Sequence, residues 1–173
     1  MDDLSTHPDP GDSGENSSLM LERFLPYRLS VLSNTVSKGI AALYADRFGI
    51  TIPEWRAVAV LGRFGPVTSA EICSRTAMDK VQVSRAIQRL TASGMVSRRV
   101  DPADRRRATI AMTAKGRGVY REIVPLALSC EATLLDGLSD KERETLSTLL
   151  DWLANRAGEF AEPTDEDEHG GMD

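Results

Sequence analysis

Two helix-start signals stand close together in the middle of the chain, and they limit the possible folds more than any other feature. Thr68-Ser-Ala-Glu71 and Asp79-Lys-Val-Gln82 each set a short polar side chain three residues before Glu or Gln, the arrangement that satisfies orphan N–H donors in a helix's first turn. Only short helices fit there: one from Thr68 to about Arg75, then one in which Val83, Ile87 and Leu90 recur at helical spacing until Ser93-Gly94 stops it. Just before them Pro53 suits a first helical turn, Trp55, Val58, Ala59 and Leu61 supply a buried face as far as Phe64, and Gly65-Pro66 ends the run. After Gly94 the period changes. Val96, Arg98 and Val100 alternate with Ser97, Arg99 and Asp101, and Ala108, Ile110 and Met112 alternate again, which predicts two strands. The link Pro102-Ala-Asp-Arg-Arg-Arg107 is turn-like at its start and basic at its end, so the pair is a hairpin with a charged tip.

Long helices flank this centre. From Leu21 to Phe48 the residues Leu25, Leu29, Leu32, Val36, Ile40 and Leu43 keep helical spacing, with a start near Pro26 and a stop at Gly49. Thr113 caps a helix reaching about Gly137, weakened by Gly116 and Gly118 and expected to kink at Pro125. Ser139-Asp-Lys-Glu142 is a further capping box, and Leu146, Leu149, Leu150 and Leu153 then share a face to about Ala157. Residues 1–18 and the last dozen are rich in Asp, Glu, Pro, Gly and Ser with little to bury, and are expected to be disordered. No apolar run approaches the roughly 20 residues of a membrane span and the acidic N-terminus is unlike a signal peptide, so the expected location is the cytoplasm.

The net charge of −5 argues against nucleic acid only until its distribution is considered. Residues 1–18 carry five acidic and no basic side chains, and residues 159–173 carry seven and none. The 21 basic residues between them face 14 acidic ones, a balance of +7. From Arg75 to Arg107 nine basic residues face only Asp79, Asp101 and Asp104, a balance of +6.

Three short helices followed by a hairpin is the order of a winged helix-turn-helix, in which the last short helix enters the major groove and the hairpin reaches the neighbouring minor groove. The expected fold is mainly α with a small β-hairpin wing, joined to a helical dimerisation region. With Val83, Ile87 and Leu90 inward, Lys80, Gln82, Ser84, Arg85, Gln88 and Arg89 turn partly or wholly outward. Gln pairs bidentately with adenine and Arg with guanine. Gln82, Arg85 and Gln88 are therefore the candidate base readers, and Lys80, Arg89, Thr68, Ser69 and Ser84 the supporting contacts. Arg98, Arg105, Arg106 and Arg107 are the wing's candidates, because a narrow minor groove attracts guanidinium groups. Asp104 repels phosphate, so its expected work is to orient Arg106 or Arg107. The competing explanation is a solvated helix face stabilised by its charges, or a basic face that binds an acidic protein.

Taken together, Trp55 to Leu61, Thr68-Ser-Ala-Glu-Ile72, Met78-Asp-Lys-Val-Gln-Val-Ser-Arg-Ala-Ile-Gln-Arg-Leu90, Ser93-Gly94-Met95-Val96, Asp101-Pro-Ala-Asp-Arg-Arg-Arg107 and Met112-Thr113-Ala-Lys-Gly116 resemble the MarR family of transcriptional regulators. Met112-Thr113 stands where that family commonly has Leu-Thr. The resemblance spans about residues 21–158 and implies a repressor that binds a palindromic double-stranded operator as a homodimer. The domain reading is then a MarR-type body over 19–158, with dimerisation helices in 19–50 and 113–158 and the winged unit in 53–112, between acidic tails 1–18 and 159–173. The sequence supports the dimer independently, because Leu21 to Phe48 and Thr113 to Ala157 hold more apolar helix surface than one winged domain can cover.

The resemblance also implies an effector, a small aromatic acid or its coenzyme A thioester, held between the dimer helices and the winged unit. The candidates are Tyr27, Arg28, Leu32 and Asn34 on the first helix with Trp55 and Ala59 on the second; Arg28 suits a carboxylate or phosphate. Against this, Trp55 and Leu32 can simply be core, with Arg28 at the surface. Some relatives sense oxidants through cysteine, which makes Cys73 or Cys130 an alternative switch, although neither has a clear cue for a lowered thiol pKa and buried structural thiols are the default. Their spacing indicates neither a zinc site nor a disulfide framework, and no cofactor is expected. The two histidines, His7 and His169, lie in the tails, so the body has no imidazole for a catalytic triad and an enzyme is not expected.

Overall fold

A computed structural model describes residues 19–100 and 108–161. The chain runs α1 (Leu25–Phe48), α2 (Ile52–Phe64), β1 (Val67–Thr68), α3 (Ser69–Thr76), α4 (Lys80–Ala92), β2 (Val96–Val100), β3 (Ala108–Met112), α5 (Ala114–Leu134) and α6 (Asp140–Ala161). Each short helix starts at its predicted cap. Thr68 Oγ1 accepts from the Glu71 N–H at 3.3 Å while Glu71 Oε2 accepts from the Thr68 N–H at 2.8 Å, and Asp79 and Gln82 repeat the exchange. A third box opens α2, where the Thr51 N–H donates to Glu54 Oε2 at 2.6 Å. The sequence reading credited only Pro53 there.

The strands form one antiparallel sheet in the order β1-β3-β2, with Arg98 opposite Ile110 and Val67 also opposite Ile110 on the other side. β1 was not predicted, because two residues are too few to show alternation; it exists because Val67 and Thr68 pair with β3. Ile110 is thus central in the sheet and fully buried. Around it close Val58 and Leu61 of α2, Ile72 of α3, Val83, Ile87 and Leu90 of α4, and Ile123 of α5. The core therefore lies mostly between Ala57 and Ile110, closed by Tyr44 and Ile50 before it and by Ile123 of α5 after it. In α1 only Tyr44 is buried, and α6 contributes no residue to the core.

α5 stops at Leu134, short of Gly137, and runs as one helix through Pro125, whose missing N–H leaves the Arg121 carbonyl without its helical donor. α6 extends past Ala157 to Ala161. The expectations for residues 1–18, for the hairpin tip with Asp104, Arg105, Arg106 and Arg107, and for the tail beyond 161 lie outside the described residues.

The link between α4 and α5 is built on backbone. Gly94, at φ +71°, turns the chain after α4, and the Thr113 hydroxyl then donates to the Gly94 carbonyl at 2.7 Å while the Thr113 N–H donates to the Met95 carbonyl at 3.0 Å. Lys115 Nζ adds a bond to the Ser93 carbonyl at 2.8 Å. Gly116 lies so close that a Cβ there would sit 2.1 Å from the Met95 oxygen. That neighbour is backbone and cannot swing aside. Gly116→Ala is therefore expected to destabilise the protein by about 2–3 kcal/mol, whereas Gly118→Ala, with open space around it, should stabilise α5 by up to about 1 kcal/mol. Urea unfolding of both variants at one protein concentration checks the contrast, and equal effects would refute the close-approach explanation.

Candidate nucleic-acid interface

α4 divides its side chains by period. Val83, Ala86, Ile87 and Leu90 are buried, and Lys80, Gln82, Ser84, Arg85, Gln88 and Arg89 are all exposed, as the sequence pattern requires. Val81, Arg85 and Gln88, spaced i, i+4 and i+7, stand one above another on the outermost stripe. Val81 was missed. It is 56% exposed in a helix whose other large aliphatics are buried, and its signal in the sequence was that it falls off the stripe of Val83, Ile87 and Leu90.

Beside this stripe an open groove of about 940 Å³ lies between α3, α4 and the wing. Ser69 of α3, Lys80, Ser84 and Gln88 of α4 and Arg98 of β2 all line it. Arg98 reaches it because it lies two residues beyond buried Val96 and so points to the same face of the sheet, whereas Arg99 points to the other. Thr68, at the mouth of α3, is half-buried and its hydroxyl is bonded to Glu71.

One predicted role, that of Gln82, and the place of one counted charge, Arg75, change on this geometry. Gln82 Oε1 accepts the Asp79 N–H at 3.2 Å, so its oxygen is held toward the cap and a bidentate pair with adenine would have to share that oxygen with the cap. Arg75, counted in the basic stretch, does not line the groove: its guanidinium lies over the Phe64 ring, 3.9 Å from the centroid, with Arg63 on the same ring at 5.4 Å.

The predicted effector residues do not gather within one chain. Tyr27, Arg28, Leu32 and Asn34 are exposed on the first half of α1, while Trp55 and Ala59 are half-buried on α2. The Trp55 ring instead packs on Tyr44, 5.7 Å between centroids, and stacks on Tyr120 at 6.1 Å. Sixteen residues separate Arg28 from Tyr44, roughly 24 Å along the helix. Arg56, which the sequence reading did not single out, is the cation beside the aromatic cluster: its guanidinium donates to Ser37 Oγ at 3.3 Å and acts electrostatically on the Tyr44 phenol. Gly62 leaves room for Tyr120, whose ring would lie 2.4 Å from a Cβ there. Cys73 lines the α3–α4 groove, and Cys130 lines a separate apolar cavity of about 560 Å³ between α1 and α5; both are half-buried free thiols, not the fully buried ones expected. No described helix is long and apolar enough to cross a membrane.

A capped recognition helix, a basic groove beside it and a three-stranded wing define a winged helix-turn-helix of the DNA-binding class. The MarR family model matches residues 48–107. The HTH-type transcriptional regulator YwoH of Bacillus subtilis, itself uncharacterized, is 32% identical over 105 residues, covering 61% of this chain and 76% of that protein. The HTH-type transcriptional repressor NicR of Pseudomonas putida is 27% identical over 101 residues, covering 58% and 64%. Among solved structures, a MarR/EmrR family regulator from Acinetobacter sp. ADP1 superposes with a TM-score of 0.74 at 25% identity, covering 80% of this chain and 98% of that one. BpsR of Bordetella bronchiseptica, whose DNA binding is regulated by 6-hydroxynicotinic acid, superposes with a TM-score of 0.69 at 24% identity, covering 78% and 95%. The chain belongs to the MarR family and is a DNA-binding transcriptional regulator.

Burial pushes the Tyr44 phenol up from the ordinary 10.0 to about 12, against the opposing pull of Arg56. Folding therefore favours the protonated phenol. Below pH 10 both states keep the proton; between 10 and 12 the unfolded chain releases it and the folded chain does not, so stability falls. Tyr44→Phe should lack this alkaline loss of about 2–3 kcal/mol, which denaturant titrations from pH 9 to 12 would show as a smaller pH slope than in the wild type.

Proposed function

We propose that this protein is a sequence-specific repressor that binds a palindromic operator as a homodimer and is released by a small aromatic acid or its coenzyme A thioester. The observation that carries the DNA reading is the convergence of Ser69, Lys80, Ser84, Gln88 and Arg98, from three different elements, on one groove beside the outward stripe of α4. Such a surface suits a duplex: Arg85 and Gln88 for base edges, exposed Val81 for a thymine methyl, and Lys80, Arg89, Ser69 and Thr68 for phosphates. Arg105, Arg106 and Arg107, oriented by Asp104, complete the wing in this reading.

In it residues 53–112 form the DNA-reading unit, and 19–50 with 113–158 join two copies. Exposed Leu25, Leu29 and Leu32 on α1 and Leu149, Leu150 and Trp152 on α6 support the second part, because apolar surface of this extent is stable when covered. Two-fold symmetry places half-site centres about 34 Å apart, or a multiple of it. Selection of duplexes from a random pool should return a palindrome. Lys80→Ala should then weaken binding to operator and random DNA alike and lower the salt slope of log K by about 1 per subunit, while Arg85→Ala should cost about 1–3 kcal/mol per half-site on the operator. Binding that is insensitive to salt, or a pool that returns no palindrome, refutes the reading and favours an acidic protein as partner.

The effector half rests on the aromatic cluster and Arg56. Half-buried Trp55 and Tyr120 offer ring faces, with Tyr44 buried against Trp55, and Arg56 offers a guanidinium that can receive a carboxylate. A pocket that also uses Arg28, Tyr27, Leu32 or Asn34 then draws them from the partner's α1, given the separation along the helix. NicR's designation as a repressor and the regulation of BpsR by a hydroxylated aromatic acid are consistent with this choice. In a screen of aromatic acids and acyl-CoAs for release of operator DNA, the active compound should lose its effect on Arg56→Gln while operator affinity without it stays unchanged. If no compound releases DNA, or if only a Cys73→Ser, Cys130→Ser double variant loses its response, the aromatic-acid reading is wrong.

A further inference from the structure

The capping box of α4 uses half of a side chain that faces outward. Gln82 is the third residue of the helix and is exposed. Its backbone N–H donates to Asp79 Oδ1 at 2.7 Å, and its side chain returns the bond by accepting the Asp79 N–H at 3.2 Å. A backbone N–H can be received only by the oxygen of a carboxamide, so the amide orientation is set by the bond itself: Oε1 toward the cap, the NH₂ group away from it. Residues at the start of a recognition helix are the ones that meet base edges. What exposed Gln82 turns outward is therefore its NH₂ donor, while its oxygen is held toward the cap by one of its two lone pairs.

In the major groove, guanine and thymine present the carbonyl oxygens O6 and O4, whereas adenine and cytosine present the amino groups N6 and N4. A donor placed at that position meets O6 or O4 productively and opposes N6 or N4, whereas purine N7 accepts in guanine and adenine alike and does not tell them apart. We propose that Gln82 reads a keto base, guanine or thymine, through its amide N–H, and that Asp79 acts as the positioning residue by holding the amide oxygen back. The inference rests on the reading of α4 as the DNA-contacting helix and adds to it the chemistry of one operator position. It also replaces the adenine pairing that glutamine ordinarily suggests.

Gln82→Glu makes the sharpest test. A carboxylate completes the same capping box with one oxygen and presents the other, an acceptor, where the NH₂ group stood. Every base pair carries a keto group on one strand and an amino group on the other, so the swap should invert one base pair in each half-site, G·C to C·G or T·A to A·T. A reader of adenine would not behave this way, since glutamate can still accept from N6 and the pair would keep its orientation. Gln82→Met keeps the length of the side chain without either hydrogen-bonding group and identifies the position, as the one where preference is lost.

The experiment selects duplexes from a random pool with the full-length wild type and both variants. The expected result is an operator in which the position relaxed by Gln82→Met is inverted by Gln82→Glu, with the wild type preferring its own pair over the inverted one by about 3- to 10-fold and the remaining positions unchanged. Unchanged enrichment elsewhere also shows that the variants are folded. If Gln82→Glu keeps the wild-type pair, or if Gln82→Met relaxes no position while an operator is still selected, the keto-base reading is overturned and the DNA reading stands. If the wild type enriches no sequence at all, both fall.

Discussion

The close approach of the first turn of α5 to the loop after α4 is the constraint on which the rest of the molecule depends. Thr113 bonds to the carbonyls of Gly94 and Met95, Lys115 reaches that of Ser93, and Gly116 lets the helix come within contact of the Met95 backbone. These contacts tie three things at one point: the end of the DNA-facing helix, the base of the wing and the start of the long helix that leads out of the winged unit. Backbone carbonyls are rigid acceptors, so the direction of α4 relative to α5 is held without a side-chain hinge.

The polar groups at the start of α4 settle both its first turn and the surface it presents. Asp79 and Gln82 close the first turn, and the same closure decides which atoms of Gln82 face outward. Apolar groups are divided just as sharply: Val83, Ile87 and Leu90 hold the helix against Ile72 and Ile110, while Val81, two residues before Val83, stays exposed on the outer face. Leaving a valine exposed forgoes the stabilisation of burying it, of order 1.5–3 kcal/mol, which is reasonable where a ligand rather than the core covers it.

Burial is uneven along the chain: α2, α3, α4 and the sheet hold most of the core, which Tyr44 of α1 and Ile123 of α5 help to close. The winged unit buries its aliphatics around Ile110, whereas α1 and α6 leave leucines and Trp152 in the open and α6 has at most sparse contact with the remainder. Between α1 and α5 the same incompleteness appears as an apolar cavity lined by Val36, Ile40, Leu128 and Leu134. The aromatic cluster sits where α1, α2 and α5 meet, with Trp55 from α2 in contact with both Tyr44 from α1 and Tyr120 from α5. A change in how α1 and α5 lie against α2 must pass through those rings.

Much of this was legible in the residues themselves, for a local reason. Capping boxes, glycine stops and the shift from period 3.6 to period 2 are interactions within a few residues, so the three short helices, the hairpin strands and the exposed face of α4 follow from the sequence alone. The tertiary structure decided what depends on distant partners. β1 exists only because β3 pairs with it, and Arg75 is drawn from the basic stretch onto Phe64 by a ring eleven residues away. Trp55 meets Tyr44 and Tyr120 rather than Arg28, and Gly116, which looked like a weakness in α5, proves to be where α5 meets Met95. Periodicity states which side of a helix is turned inward, but what that side touches is settled only when separate elements compete for the same space.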